Sequence, residues 1–268
     1  MRASLPALLA VLLLLPSNLL AAEKAKTELT WYGQSTFLIK TPQGTVIAID
    51  PWFSNPLNKD KEAAAKLEKL DFIVVTHGHA DHVGDSVALA QRTGAKLVTV
   101  GELASLLAEA GIPKAQASME TSGNMGGTFA LTDEVSITLV PALHSNSFQK
   151  GEGSPALYAG NPVGAVIQIK GGPTLYHTGD TDVTTDMKLL GERFKIDVML
   201  ACIGGHFTMD PRGAAVAASL VKPKQMVPMH FGTFPLLAGK PADLKAALKA
   251  LNVRTEVVEM QIGQPRQL

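Results

Sequence analysis

The sequence is poor in cysteine and has no excess of charge of either sign. Cysteine occurs once in 268 residues, as Cys202. An internal disulfide is therefore excluded, although an oxidising compartment would be tolerated. Lysine plus arginine and aspartate plus glutamate both number 24. This balance, with no basic stripe, disfavours nucleic acid as a partner. The sequence also has no Gly-x-Ser-x-Gly motif, so a serine nucleophile of that kind is not expected.

Long apolar runs are also scarce. The run at residues 5–15 is interrupted at residues 16–18, before it reaches the ~20 apolar residues that a membrane span needs. A positively charged start, this short run and small residues before a charged stretch predict a secretory signal peptide over residues 1–22. Cleavage after Ala22 would remove it. We therefore expect an exported protein, periplasmic or secreted, without a stable membrane anchor, in which residues 23–268 form a single domain.

Two regions of the chain have the same order of predicted elements. Residues 37–50 and 165–180 each predict a strand, a glycine-containing turn, a second strand and an aspartate. Each is followed by a helical stretch, a buried strand ending in a Gly-His loop with an aspartate, a helix (83–93 and 211–221) and another strand. The charged stretch at 59–69 predicts a solvated helix face. This pattern predicts an α/β (α+β) fold, a four-layer αββα sandwich of two similar halves.

The stretch VVTHGHADHVGD at residues 74–85 holds three of the chain's seven histidines within six residues. A hydrophobic core does not favour this, because each buried imidazole has two nitrogens that need partners. The strand before the motif predicts a loop that aims His77 and His79 at one point. Asp81 and His82 follow as the chain turns into a helix, and they point elsewhere. Imidazole and carboxylate ligands without thiolate are typical of zinc or a similar divalent metal.

Further ligands are needed, and three suitable residues follow predicted strands. His144 follows SITLVPAL, Asp180 ends TLYHTGD and His230 follows QMVPM. Binding loops lie at the carboxyl ends of strands in sheets of this kind, which makes these residues candidate ligands. His177 lies within a predicted strand, so we expect a buried histidine with satisfied hydrogen bonds. Asp50 is either a residue of the site or a cap of the following turn.

The stretches THGHADHVGD, ALHSNS, HTGDTD, IGGHFTMD and PMHFGTFP resemble the metallo-β-lactamase superfamily, and within it the metal-dependent hydrolases similar to ascorbate-6-phosphate lactonase. The resemblance runs from about residue 28 to the C-terminus. It implies the metallo-β-lactamase fold and a dinuclear metal site. The implied ligands are His77, His79 and His144 for the first metal, Asp81, His82 and His230 for the second, and Asp180 as a bridge. Asp50 would orient the motif without binding metal.

The resemblance implies a metal-dependent hydrolase with two divalent ions. Zinc is the expected metal, with manganese or iron as alternatives. The ions would lower the pKa of a shared water towards ~7. The metal-bound hydroxide would cleave an ester, lactone, thioester or phosphodiester bond in a small molecule. Catalytic roles are expected for Asp81, His79 and Asp180.

Several questions stay open at this level. Loop 145–162 is the candidate for substrate selection, with Tyr158 and Asn161 as candidate contacts. His206 departs from the subgroup, where an acidic or amide residue is expected. It is either a substrate contact, a residue that tunes a ligand or a helix cap. Iron-dependent redox or dioxygenase chemistry and a non-catalytic metal-binding module are the alternatives to hydrolysis. Diiron oxygen reductases of this fold usually have a glutamate where this chain has His79. A homo-oligomer is a further expectation.

Overall fold

The computed structural model describes residues 26–268, so the predicted signal peptide over residues 1–22 lies outside it. The strands are β1 (Glu28–Trp31), β2 (Phe37–Lys40), β3 (Val46–Ile49), β4 (Phe72–Val74), β5 (Lys96–Val100), β6 (Ser122–Gly123), β7 (Thr128–Ala130), β8 (Val135–Pro141), β9 (Ser147–Phe148), β10 (Leu157–Tyr158), β11 (Val163–Ile169), β12 (Thr174–His177), β13 (Val198–Cys202), β14 (Gln225–Met229), β15 (Glu256–Val257) and β16 (Pro265–Gln267). The helices are α1 (Ala80–Val83), α2 (Ser86–Thr93), α3 (Gly101–Ala110), α4 (Asp186–Arg193), α5 (Pro211–Val221) and α6 (Pro241–Ala250). None of these helices has the length and apolarity to cross a membrane.

Two seven-stranded sheets carry the fold. The first has the strand order β16-β1-β2-β3-β4-β5-β6, and the second has the order β15-β14-β13-β12-β11-β8-β7. Strands β9 and β10 form a separate two-stranded hairpin. Central strands such as β3 (VIAI) and β13 (VMLAC) are buried along their whole length. A strand is buried on both faces only when each face is covered, here by helices on one side and by the other sheet on the opposite side.

The two halves repeat one another strand by strand. The antiparallel hairpin β2–β3 pairs Ile39 with Ile47, and the hairpin β11–β12 pairs Ile167 with Leu175. Each hairpin continues into two parallel strands, β4 and β5 in the first half and β13 and β14 in the second. A helix and a further parallel strand follow each series, α3–β6 and α6–β15. The predicted αββα sandwich of two similar halves is therefore confirmed.

The predicted helix over 59–69 is wrong. Residues 61–66 form successive turns rather than a helix. The side chains compete with the helical backbone, since Asn58 Oδ1 accepts from the Asp60 N–H at 3.1 Å and Asp60 Oδ1 accepts from the Glu62 N–H at 3.1 Å. Such local bonds favour turns over helix.

The predicted helix over 83–93 begins earlier and is broken in the middle. It forms as α1 and α2, separated by Gly84 and Asp85. Gly84 has φ +44°, and a Cβ there would lie 2.6 Å from Trp52 Cα. The break therefore allows the chain to pass close to the loop that follows β3. The predicted helix over 211–221 is confirmed as α5, and it begins where Asp210 Oδ1 accepts from the Gly213 N–H at 2.7 Å.

Candidate metal centre

Loops at the carboxyl ends of four strands meet at one edge of the sandwich. His77 and His79 follow β4, and α1 carries Asp81 and His82. The other predicted ligands follow β8, β12 and β14, namely His144, Asp180 and His230. The first loop packs tightly, because a Cβ at Gly78 would lie 2.7 Å from Ser147 O. Asn146, which the sequence reasoning missed, holds this loop by accepting from the Gly78 N–H at 2.7 Å.

The first group of donor atoms comes from His77, His79 and His144. Their donor nitrogens all lie within 4.8 Å of one another. His77 Nε2 and His79 Nδ1 are 2.9 Å apart. The opposite nitrogen of His79, Nε2, lies 3.5 Å from Ser145 Oγ, so Nδ1 is the atom that faces the group.

The second group comes from Asp81, His82 and His230, whose donor atoms likewise lie within 4.8 Å of one another. Asp81 Oδ2 is 3.5 Å from both His82 Nε2 and His230 Nε2. Asp180 stands between the groups. Its Oδ2 lies 2.9 Å from His230 Nε2, 3.3 Å from His82 Nε2 and 3.8 Å from His144 Nε2.

These separations fit a pair of divalent cations. Around a tetrahedral zinc ion with Zn–N bonds of ~2.0–2.1 Å, neighbouring donor atoms lie about 3.3 Å apart. Asp180 Oδ1 and His82 Nε2 are among the buried polar atoms that lack a well-formed hydrogen bond. Buried polar atoms normally have partners, and a metal ion would satisfy both. The residues present therefore suit two metal ions.

Asp50 supports the cluster from below. Its buried carboxylate lies 2.7 Å from His82 Nδ1 and accepts hydrogen bonds from the Thr76 N–H at 2.8 Å and the Thr76 hydroxyl at 2.7 Å. The same hydroxyl lies 3.1 Å from His77 Nδ1. The Asp50 carboxylate therefore contacts the cluster and does not cap the following turn. A carboxylate behind a ligating imidazole fixes the ring orientation and raises its basicity as a ligand.

Comparison with known proteins identifies the family. The model of the Beta-lactamase superfamily domain matches residues 45–231. A UPF0173 metal-dependent hydrolase of Anaeromyxobacter sp. (strain K) is 58% identical over 245 residues, covering 91% of this chain and 88% of the relative. The chain belongs to the UPF0173 metal-dependent hydrolases of the metallo-β-lactamase superfamily. The superfamily and the hydrolase class predicted from the motifs are confirmed.

Solved structures share the fold. Igni18, a metallo hydrolase from the archaeon Ignicoccus hospitalis, is 34% identical, with a TM-score of 0.77, covering 91% of this chain and 99% of Igni18. CmlA, a diiron β-hydroxylase from Streptomyces venezuelae, is 12% identical, with a TM-score of 0.62, covering 91% of this chain and 54% of CmlA. The likeness to CmlA extends to the fold alone. The UPF0173 fold thus has relatives of more than one chemistry.

The imidazoles of this UPF0173 protein fall into two kinds, one with a lowered pKa and one with a raised pKa. Burial, together with the neighbouring His82, holds the pKa of His77 well below its ordinary value. Burial likewise lowers the pKa of His79 and of His144. For His82, burial acts to lower the pKa, but the carboxylates of Asp180, Asp81 and Asp50 outweigh it and raise the pKa well above its ordinary value.

His230 is the second histidine with a raised pKa. Burial opposes its charge, but Asp180 and Asp81 outweigh burial and raise the pKa of His230 to about 9. The two carboxylates respond in the opposite direction. Burial alone would raise the pKa of Asp81 and of Asp180, yet the facing imidazoles hold both pKa values well below their ordinary range. The first group thus offers neutral imidazoles, whereas the second must release protons before it can bind a cation.

A cavity of about 540 Å³ opens above the cluster. The polar residues of its lining, which we call the floor, are donor groups from both groups of ligands, together with Gln34 and Ser145. Gln34, which the sequence reasoning missed, donates from Nε2 to Asp81 Oδ2 at 2.8 Å. No sequence motif indicates Gln34, because it reaches the site from the loop after β1. It lies 47 residues before its partner, Asp81. The remaining lining is apolar and consists of Trp52, Ala80, Phe207, Phe234 and Leu237.

Besides the buried His77, His82 and Asp50, four residues singled out in the sequence lie outside this lining. Tyr158 and Asn161 are exposed and contact each other, with the Tyr158 hydroxyl donating to Asn161 Oδ1 at 3.3 Å. His206 is exposed and packs edge-on against Phe207, at 4.4 Å between ring centroids. It does not cap a helix, because Asp210 caps α5. His177 is buried and bonded through both nitrogens, to Ser35 O at 3.0 Å and to the Gly179 N–H at 3.1 Å, as expected.

Proposed function

We propose that this protein hydrolyses an ester, lactone, thioester or phosphodiester bond of a small molecule, using two divalent cations of which zinc is the first choice. One observation carries the proposal. Five imidazoles and two carboxylates from four segments form one cluster, and three of these imidazoles and both carboxylates line a cavity of about 540 Å³. A structural metal site is closed by its ligands, whereas a site beneath an open cavity leaves room for water and substrate.

In this proposal His77, His79 and His144 would hold one cation, and Asp81, His82 and His230 would hold the other. Asp180 would be shared by the two groups, since its Oδ2 faces nitrogens of both. When bound, such a pair supplies Lewis acidity at the scissile group and lowers the pKa of a water molecule from about 15.7 towards about 7.

The protein's own groups orient that water. The Asp81 carboxylate stays ionised because the neighbouring imidazoles hold its pKa far below the ordinary range. It therefore accepts a hydrogen bond and never donates one, which fixes the direction of the water's O–H bond. Gln34 Nε2 donates to Asp81 Oδ2 at 2.8 Å and so sets the rotation of the carboxylate.

Apolar side chains stand beside the cluster in the cavity lining. The rings of Trp52 and Phe234 are stacked, with centroids 6.1 Å apart and planes at 25°. Electrostatic interactions inside a site become stronger as water is excluded. Ser145 Oγ lies on the floor beside His79 and can donate to the oxygen on which charge develops.

A matched pair of histidine variants tests the proposal. His79→Ala removes Nδ1 from the first group, so we expect the metal content to fall by about one equivalent and kcat/KM to fall at least ~100-fold. His206→Ala removes an exposed histidine outside the cavity and should change neither quantity. Metal content is measured by mass spectrometry on protein reconstituted with zinc. Full turnover of His79→Ala without bound metal would defeat the proposal.

Iron-dependent redox chemistry is the alternative. It shares with the proposal a dinuclear centre on the same fold. The absorption spectrum of the purified protein separates the two, because zinc has no visible absorption and ferric iron does. Hydrolysis by the colourless zinc form supports the proposal, whereas activity that requires iron and dioxygen supports the alternative.

A further inference from the structure

We propose that the substrate of this centre carries an uncharged, apolar group beside the scissile bond and has no anionic group remote from that bond. This inference rests on the proposed function, because it takes the metal centre to be the place where the bond is cleaved. It narrows the substrate class to esters, lactones, thioesters or phosphodiesters that are neutral away from the scissile bond and carry an aromatic or aliphatic substituent.

The wall of the cavity points to such a group. The rings of Trp52, Phe207 and Phe234 and the side chain of Leu237 line the space directly above the polar floor. Phe207 is 51% exposed and Phe234 is 40% exposed. Large apolar side chains exposed around a concave site mark a surface that a ligand covers. Covering them with an apolar group releases water from both surfaces, which favours binding.

The charge of the lining points the same way. None of the residues that line the cavity is lysine or arginine. With both metal ions bound, the positive charge available to a substrate would therefore be confined to those ions, where the scissile group would bind. A second anionic group would lie against Trp52 or Phe234 without a partner, and an unpaired charge in such surroundings is costly. Arginine or lysine is the usual partner of a phosphate or carboxylate.

Phosphorylated sugar lactones are therefore not expected as substrates of this protein. The phosphate of such a substrate is several bonds away from the lactone carbonyl, so it cannot reach the cations while the carbonyl is there. It would need its own cationic partner in the wall, and this wall offers none. The lining therefore favours substrates that are neutral away from the scissile bond.

Two esters of nearly equal size test the inference. 4-Nitrophenyl butyrate and 4-nitrophenyl hemisuccinate share the leaving group and differ in a terminal methyl or carboxylate. We expect the zinc-loaded protein to favour the butyrate by at least about 30-fold in kcat/KM. Equal rates, or a preference for the hemisuccinate, would overturn the inference and leave the proposed function intact.

An introduced cation should shift this preference. Phe207→Arg places a guanidinium in the wall, and we expect the ratio of the two kcat/KM values to move at least about tenfold towards the hemisuccinate. Leu189→Arg is the matched control, since Leu189 is 59% exposed on α4 and lies outside the cavity lining. It should leave the ratio unchanged. An equal shift in both variants would contradict the role given to the wall.

Binding without chemistry gives an independent measurement. Butyrophenone and 4-oxo-4-phenylbutanoate are unreactive ketones that differ in the same way as the two esters. The chain has two tryptophans, of which Trp52 lines the cavity and Trp31 is buried away from it. Butyrophenone should change the fluorescence of the protein and of Trp31→Phe, but not that of Trp52→Phe.

The two sets of results separate the two proposals. If neither ester is hydrolysed while butyrophenone binds at least about tenfold more tightly than the keto acid, the proposed function fails for esters and the inference about the cavity stands. If the esters are hydrolysed but the keto acid binds as tightly as butyrophenone on both the zinc-loaded and the metal-free protein, the inference fails. Preference for the neutral member of both pairs supports both proposals.

Discussion

Replacing Gln34 with methionine should lower activity without lowering stability. Gln34 Nε2 donates to the Asp81 carboxylate at 2.8 Å, whereas Gln34 Oε1 is buried without a partner. A hydrogen bond to a charged group contributes about 1.5–3 kcal/mol. Its loss therefore predicts a fall in kcat/KM of roughly 10–150-fold, since each ~1.4 kcal/mol is a factor of ten.

The free energy of unfolding should change little. Gln34→Met loses the hydrogen bond from Nε2, but it also removes the cost of burying an unpartnered amide oxygen, about 1–3 kcal/mol, while keeping the length of the side chain. The positive φ of 47° at Gln34 is strained for both residues, so it cancels in the comparison. The backbone carbonyl of Gln34, which accepts from Trp31 Nε1 and the His230 N–H at 3.0 Å each, is also unchanged.

Thermal unfolding and steady-state kinetics on the same zinc-loaded preparations measure both effects. We expect the Tm of Gln34→Met to stay within about 4 °C of that of the parent protein, with one kcal/mol corresponding to about 2–4 °C in a domain of this size. Gln34→Asn is the control that keeps the amide but shortens the side chain, and it should lose activity as well. A Tm and a kcat/KM that fall together, or an unchanged kcat/KM, would refute the positioning role.

Two further predictions follow from the same structure and one from the sequence. At pH 7.5 the raised pKa values of His82 and His230, the latter about 9, keep both imidazoles protonated without metal. Zinc binding should release about two protons, measured by calorimetry in buffers of different ionisation enthalpy; no release would contradict this. Gly84→Ala should lose about 2–4 kcal/mol in denaturant unfolding, whereas Gly94→Ala, where a Cβ meets open space, should lose less. The sequence, rather than the structure, predicts export with cleavage after Ala22, so the intact mass of the protein produced in a bacterium should correspond to residues 23–268; the mass of the full chain would contradict this prediction.

The fold was predictable where the strand pattern repeats. Hairpins and buried strands have strong local sequence signals. The same order of strands and helices occurs twice in the chain, so each copy supports the assignment of the other. The helix proposed at 59–69 failed because alternating charges and alanines favour helix, while the Asn58 and Asp60 side chains bond to the following backbone N–H groups. Sequence periodicity does not register which of these two effects is stronger.

The floor of the site was predictable, but its wall was not. Metal ligands are few in kind and stand at strand ends, so the motif and three isolated residues could be assigned to one place. Trp52 and Phe234 look like ordinary core residues in the sequence, and they meet only because loops from both halves cross the same edge. Tyr158 was chosen because its loop follows His144, yet the hairpin β9–β10 carries it outward and exposes it. Adjacency along the chain did not imply adjacency to the cavity.

The last strand of the chain has a protective consequence. β16 pairs only with β1, and every residue in it is exposed. Without it, β1 would present a free row of N–H and C=O groups, the kind of edge onto which another chain can add. Shortening the chain by its final few residues would leave the centre at the far end of the strands intact. It would, however, replace a short exposed edge that contains Pro265 and Arg266 with β1, which is longer and mostly buried. Fusion partners are therefore better joined beyond Leu268 than substituted for the residues before it.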